Sequence, residues 1–136
     1  MSATARATLC ALACAGAAWI AAAAPSQAGA DDGDRAEVRV AGVCGRASSA
    51  RLRLRSHDGR IRADLSVRTP KAGVWRVTVL HERRIARRAR VRATRARGGF
   101  EFRALLPDYV GPDAVRVRAV APRGESCSAA AVLPGS

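Results

Sequence analysis

Aromatic residues are scarce in this 136-residue chain: two Trp, two Phe and one Tyr. Proteins that hold single-stranded nucleic acid without regard to sequence interleave stacking platforms with their cations. Trp19 lies in the uncharged N-terminal run, and Trp75, Phe100 and Phe102 fall on apolar strand positions; only Tyr109 is left for such a platform, so specific readout of nucleic acid is not expected. Histidine is limited to His57 and His81, and lysine to Lys71. The chain has no His-x-x-x-His and no metal-type cysteine spacing. It also lacks a Cys-x-x-Cys, a Gly-x-Ser-x-Gly elbow and a phosphate-cradling glycine loop. Both histidines sit near predicted hairpin ends, where a solvated surface role is the default. His57 and Asp58 are adjacent, but strand alternation and the following turn are expected to point their side chains apart. No catalytic residue, cofactor or metal ligand is assigned on these grounds, and the chain reads as a non-enzyme.

Charge is absent from Ala7 to Ala24, with Arg6 the only cation before that stretch. Pro25 breaks the run, Ala28-Gly29-Ala30 supplies a small-x-small site, and the acidic Asp31-Asp32-Gly33-Asp34 follows. This is the order of a secretory signal peptide, expected over residues 1–30 and cleaved near Ala30. A retained anchor is the weaker alternative, because the run is rich in alanine, which holds a helix poorly in lipid. Lipidation at Cys14 fits badly, since Leu12 lies one place too close. The chain is therefore expected to be secreted or held in the cell envelope.

Removing 30 residues from 136 leaves 106, the size of one domain. Of four cysteines only Cys44 and Cys127 remain, and an even pair in an exported chain reads as a structural disulfide.

After a short disordered tip at residues 31–34, period two dominates the expected domain at 35–136. Arg51-Leu52-Arg53-Leu54-Arg55 alternates without a fault, as does Arg60-Ile61-Arg62-Ala63-Asp64-Leu65-Ser66-Val67-Arg68. Strands with one face in a core and one in water produce this pattern. Asp58-Gly59 between them is a strong hairpin turn signal. That turn pairs His57 with Arg60, Leu54 with Ala63, Leu52 with Leu65 and Arg53 with Asp64. Further alternation marks strands around Val38 to Cys44, with Gly42 as a possible bulge, and around Trp75 to Val79, Arg88 to Ala93, Phe100 to Phe102, Val115 to Ala119 and Cys127 to Leu133. Seven to eight short strands with near-even turn signals predict an all-β, immunoglobulin-like antiparallel β-sandwich. Trp75 follows Cys44 by 31 positions, so the architecture is immunoglobulin-like without the cysteine–tryptophan spacing of an immunoglobulin domain.

The order Cys44-Gly45, Asp58-Gly59-Arg60-Ile61, Gly73-Val74-Trp75-Arg76-Val77, Gly98-Gly99-Phe100-Glu101 and Gly124-Glu125-Ser126-Cys127 resembles small secreted immunoglobulin-like β-sandwich proteins of high-GC bacteria. The resemblance spans nearly the whole mature chain and implies the fold. Its motifs are turns, core residues and a cysteine pair, so it brings no active site with it.

Residues 31–136 carry 23 Arg and Lys against 11 Asp and Glu, about +12. Such an excess favours acidic partners, and arginine grips phosphate or carboxylate with two parallel hydrogen bonds. The candidate anion-binding residues are Arg51, Arg53, Arg55, Arg60 and Arg62 on one hairpin face, and Arg88, Arg90 and Arg92, with Arg83, Arg84 and Arg87 nearby. Five arginines on one hairpin face repel one another unless an anion relieves them; the competing explanation is a solvated exterior enriched in arginine by GC-rich coding. The expected partners are acidic envelope or extracellular polymers or an anionic membrane surface, met by a monomer. The alternative is a protein–protein module of inhibitor or adhesion type, using a loop such as Pro107 to Pro112, where Tyr109 sits.

Overall fold

The computed structural model describes residues 36–45 and 47–135. The expected signal peptide and the tip at 31–34 lie outside them. Among the described residues there is no helix. Nine strands of the described residues form two antiparallel sheets: β1 Glu37–Ala41, β2 Val43–Cys44, β3 Ser49–His57, β4 Arg60–Arg68, β5 Gly73–His81, β6 Arg84–Ala93, β7 Gly99–Pro107, β8 Asp113–Val120 and β9 Ser126–Leu133. The first sheet runs β1-β3-β4-β7 and the second β2-β9-β8-β5-β6.

The expected count of seven to eight is exceeded because the opening strand divides at Gly42. This residue is a crossing point between sheets rather than a bulge. Its amide donates to Ala50 O at 2.8 Å, while β1 pairs with β3 and β2 pairs with β9. A Cβ there would stand 2.8 Å from Ser128 O and 3.0 Å from the Ala50 Cβ, so no larger residue fits the switch. Gly99 is equally constrained, with φ of 150° and space that would bring a Cβ to 1.9 Å from Val67 O.

The β3–β4 hairpin has the register its turn dictates: His57 opposes Arg60, Leu54 opposes Ala63, Leu52 opposes Leu65 and Arg53 opposes Asp64. Asp58 and Gly59 carry positive φ values of 51° and 68°, the conformation a two-residue hairpin needs to match strand twist. Each strand then places its apolar positions in one core, built by both sheets. Leu52, Leu54, Ile61 and Val67 come from the first, and Trp75, Val77, Val79, Val115 and Val117 from the second. Trp75 is wholly buried and meets Phe100 of the opposite sheet with ring centroids 5.5 Å apart, fixing the two layers face to face. Its indole Nε1 donates to Lys71 O at 3.3 Å, so burial leaves no unpaired donor. A disulfide joins Cys44 to Cys127, directly paired residues of β2 and β9. It therefore fastens the first strand of the second sheet to the last strand of the chain.

Candidate anion-binding surface

The arginines singled out from the sequence lie on two different sheets. Arg51, Arg53, Arg55, Arg60 and Arg62 belong to the outer face of the first sheet, and Arg88, Arg90 and Arg92 to the second. Cross-strand neighbours in register share a face. One row of the first sheet therefore reads Arg39, Arg53, Asp64, Arg103, and the next reads Glu37, Arg55, Arg62, Leu105.

Acids interrupt the positive charge of that face. Glu37 accepts from Arg39 Nε at 2.5 Å and from Arg53 NH2 at 2.6 Å. Asp64 receives Arg103 Nε at 2.7 Å and Arg62 Nε at 3.1 Å, with Arg55 NH2 at 3.5 Å. The Arg53 guanidinium holds the Glu37 carboxyl below its ordinary range, against the opposing effect of burial and with help from Arg39. Burial alone would raise the Asp64 carboxyl, but Arg103 and Arg62 overcome it and the net direction is down. Repulsion on the hairpin, read from the sequence as a reason to recruit an external anion, is thus relieved from within at three of its five arginines; Arg51, opposite Ser66, and Arg60, opposite His57, have no carboxylate partner among the described residues. Two carboxylates already occupy the guanidinium groups of Arg53, Arg55 and Arg62.

The outer face of the second sheet is built differently. Arg76 opposes Arg90 across β5 and β6, and Thr78 opposes Arg88 on one side and Arg118 of β8 on the other. Arg92 continues the β6 column opposite Val74, and Arg116 continues the β8 column opposite Leu80. The inward partners of these positions, Trp75, Val77, Val79, Val115 and Val117, are core residues. The core thus fixes which way all six arginines face. None of the six pairs with a carboxylate among the described residues. The strand positions surrounding them on this face hold Val74, Thr78, Leu80, Val120, Ser128 and Ala130, with no acid.

Neighbouring strands are ~4.8 Å apart and same-face residues along a strand ~6.7 Å apart, so the guanidinium groups form a two-dimensional lattice. Arg76, Thr78, Arg88, Arg90 and Arg118 line a shallow depression of about 560 Å³ on it. The sequence reading named three of these six arginines. It missed Arg76, Arg116 and Arg118, each isolated among apolar neighbours in sequence; only β5–β6 and β5–β8 pairing brings them together.

The ends of the strands carry a second polar group, and here two expectations fail. His81 is buried, not solvated: its side chain is 3% exposed and Nε2 donates to Asp113 Oδ1 at 2.5 Å, in a carboxylate 2% exposed. The β5–β8 pairing draws His81 inward under the loop after β7. Tyr109 of that loop stacks on the imidazole at 4.8 Å, and its amide donates to Asp113 Oδ2 at 3.3 Å. His57 and Asp58, expected to diverge, lie 3.1 Å apart (Nε2 to Oδ2), because the positive φ of Asp58 turns its carboxylate back. Both are solvent-exposed, so the pair adds little.

One donor atom each from His81, Glu82 and Asp113 lie within 4.8 Å of one another, a possible cation triad. These donors are engaged already: His81 on Asp113, Asp113 on the Tyr109 amide, and Glu82 Oε1 on the Ala114 amide at 2.5 Å. As built, the group clamps the loop against β5 and β8. No protein family, curated protein or solved structure matches the chain.

Proposed function

We propose that this chain is an exported, disulfide-stapled, non-catalytic binding protein that engages acidic envelope or extracellular polymers through the outer face of its second sheet. One observation carries this reading: Arg76, Arg88, Arg90, Arg92, Arg116 and Arg118 share a face with no acid among them, whereas the other sheet interleaves its arginines with Glu37 and Asp64. A merely soluble exterior mixes charges of both signs. Like charges placed directly opposite, as Arg76 and Arg90 are, cost stability. A bound polyanion recovers that cost and releases its own counterions. The face offers no aromatic ring and almost no neutral hydrogen-bonding group, which suits a ligand recognised by regularly spaced charge rather than by bases or sugars.

The fold we propose for these two sheets is immunoglobulin-like. The order β9-β8-β5-β6 matches the G-F-C-C′ sheet of variable-type domains. The other sheet departs from that pattern, because β3 and the next strand, β4, form a hairpin in one layer. Export is favoured by the sequence of residues 1–30 and by the Cys44–Cys127 bridge, which suits an oxidising compartment.

The test is binding of the oxidised protein to inorganic polyphosphate, a polyuronate and oligothymidylate from low to physiological salt. Binding that survives physiological salt and discriminates among the three supports the reading. Weak binding to all three that salt abolishes overturns it. A protein-recognition role for the loop after β7 is favoured by the exposure of Tyr109 and Val110. It predicts salt-tolerant capture of a protein partner, lost in Tyr109→Ala.

A further inference from the structure

A groove of about 750 Å³ opens where β1 leaves the first sheet and passes the last strand of the second. Among the described residues β1 pairs with no strand but β3. β2 covers the β9 edge only at Cys127 and Ser128, so Ala129 to Leu133 have no strand partner on that side among the described residues. Val38, Val40, Leu80, Ala114, Ala130 and Val132 make the groove apolar, and its volume falls within the ~300–1,000 Å³ of ordinary small-molecule sites. Val132 stays 55% exposed there.

The charges that line the groove are unequal. Arg39, Arg83 and Arg116 line it together with one acid, Glu37. Glu37 is already held by Arg39 and Arg53, while Arg83 and Arg116 have no carboxylate partner among the described residues. An apolar trough whose lining includes two guanidinium groups without a carboxylate partner is complementary to one kind of ligand, an apolar chain with an anionic head. Arg116 also belongs to the six-arginine face, so trough and face are continuous.

We propose that this groove binds a single-chain lipid with a phosphate headgroup, the chain lying along Val40, Leu80 and Val132 and the phosphate gripped by Arg83 and Arg116. Arginine's planar fork suits phosphate, and two such forks lining one groove suit a headgroup carrying more than one negative charge. The inference rests on the anion-binding reading for its headgroup and on a separate observation, the trough, for its chain.

The experiment titrates the full oxidised protein with octyl, decyl and dodecyl phosphate below their micelle concentrations, with dodecyl maltoside as the uncharged probe. Oligothymidylate binding is measured in parallel. The expected result is affinity that rises about three- to fourfold per methylene and is at least tenfold weaker for the maltoside. Val132→Gln, at an exposed position that tolerates a polar side chain, should flatten the chain-length series. Arg83→Gln should weaken every alkyl phosphate by a common factor. Val132→Gln should leave oligothymidylate binding unchanged, and Arg83→Gln should leave its salt slope unchanged, lowering affinity only slightly through net charge. Chain-independent binding of the phosphates overturns the lipid proposal and leaves the polyanion reading standing. Equal binding of maltoside and phosphate removes the headgroup role, and no binding removes the site. A dimer in sedimentation velocity that Val132→Gln dissociates assigns the groove to a second copy of the chain and overturns the proposal. Loss of oligothymidylate binding with alkyl phosphate binding intact sinks the polyanion reading instead.

Discussion

Replacing Arg88, Arg90 and Arg92 together by glutamine removes half of the acid-free lattice and leaves the core untouched, because all three side chains point outward from β6. If each arginine of the face displaces one counterion from a flexible polyphosphodiester, the salt dependence follows at ~0.7 per contact on a log–log plot. The six-arginine face then gives a slope of about −4, equivalent to a loss of roughly two to three powers of ten in affinity between 50 and 200 mM salt. The triple variant retains three contacts, with a slope of about −2 and a loss of just over one power of ten. The contrast is Arg53, Arg55 and Arg62 to glutamine on the other sheet. Those groups are already engaged by Glu37 and Asp64, so their removal should lower affinity slightly through net charge while leaving the slope near −4. The assay is fluorescence anisotropy of labelled oligothymidylate over a salt series. Native folding of both variants is checked by the emission of the wholly buried Trp75. Equal reduction of the slope by both triples would mean that binding follows total charge and not the placement of acids.

Three further outcomes are expected. Glu37 and Asp64 have folded pKa values below the ordinary carboxylate values. The stability they add is present above those ordinary values, near pH 4, and is lost as pH falls through the depressed ones. Melting temperature should therefore drop on acidification below about pH 4, and the drop should shrink in Glu37→Gln/Asp64→Asn; an unchanged acid limb would contradict the ion-pair account. Reduction of the Cys44–Cys127 bridge, whose ends are 83 positions apart, should cost on the order of 4–5 kcal/mol in the loop-entropy description, read as a lower denaturant midpoint. Asp113→Ala leaves a buried imidazole without its hydrogen-bond partner and removes the acceptor for the Tyr109 amide; a loss of about 1–3 kcal/mol should accompany faster hydrogen exchange at Tyr109, and unchanged exchange there would mean the loop is held by something else.

How much of this was legible in the sequence differs between the two faces of the molecule. The β3–β4 hairpin could be read to the residue, because Asp58-Gly59 sets the register and a one-residue slip would expose Leu52, Leu54, Ile61 and Leu65. Its neutralisation could not be read as easily. Asp64 opposite Arg53 was visible, but Glu37 enters from β1 and Arg103 from β7, and no local pattern announces either pairing. The arginine lattice was half visible for the same reason. Arg88, Arg90 and Arg92 alternate within one strand, whereas Arg76, Arg116 and Arg118 join them only through pairing between strands far apart in sequence. His81 was misplaced because proximity to a turn suggested solvent, while the loop carrying Tyr109 folds over it and Asp113 of β8 supplies a buried partner. Gly42 looked like a bulge because an isolated glycine in a strand pattern marks either a bulge or a close backbone approach, and here it is the approach of Ser128 O and Ala50 Cβ.

The most direct test of the central claim is an NMR titration of the oxidised protein with oligothymidylate at physiological salt, following arginine side-chain Nε–H resonances. The resonances of Arg76, Arg88, Arg90, Arg92, Arg116 and Arg118 should move together along one binding curve, while those of Arg53, Arg55 and Arg62 stay in place. Shifts centred on the hairpin arginines, or none on the second sheet, would contradict the claim.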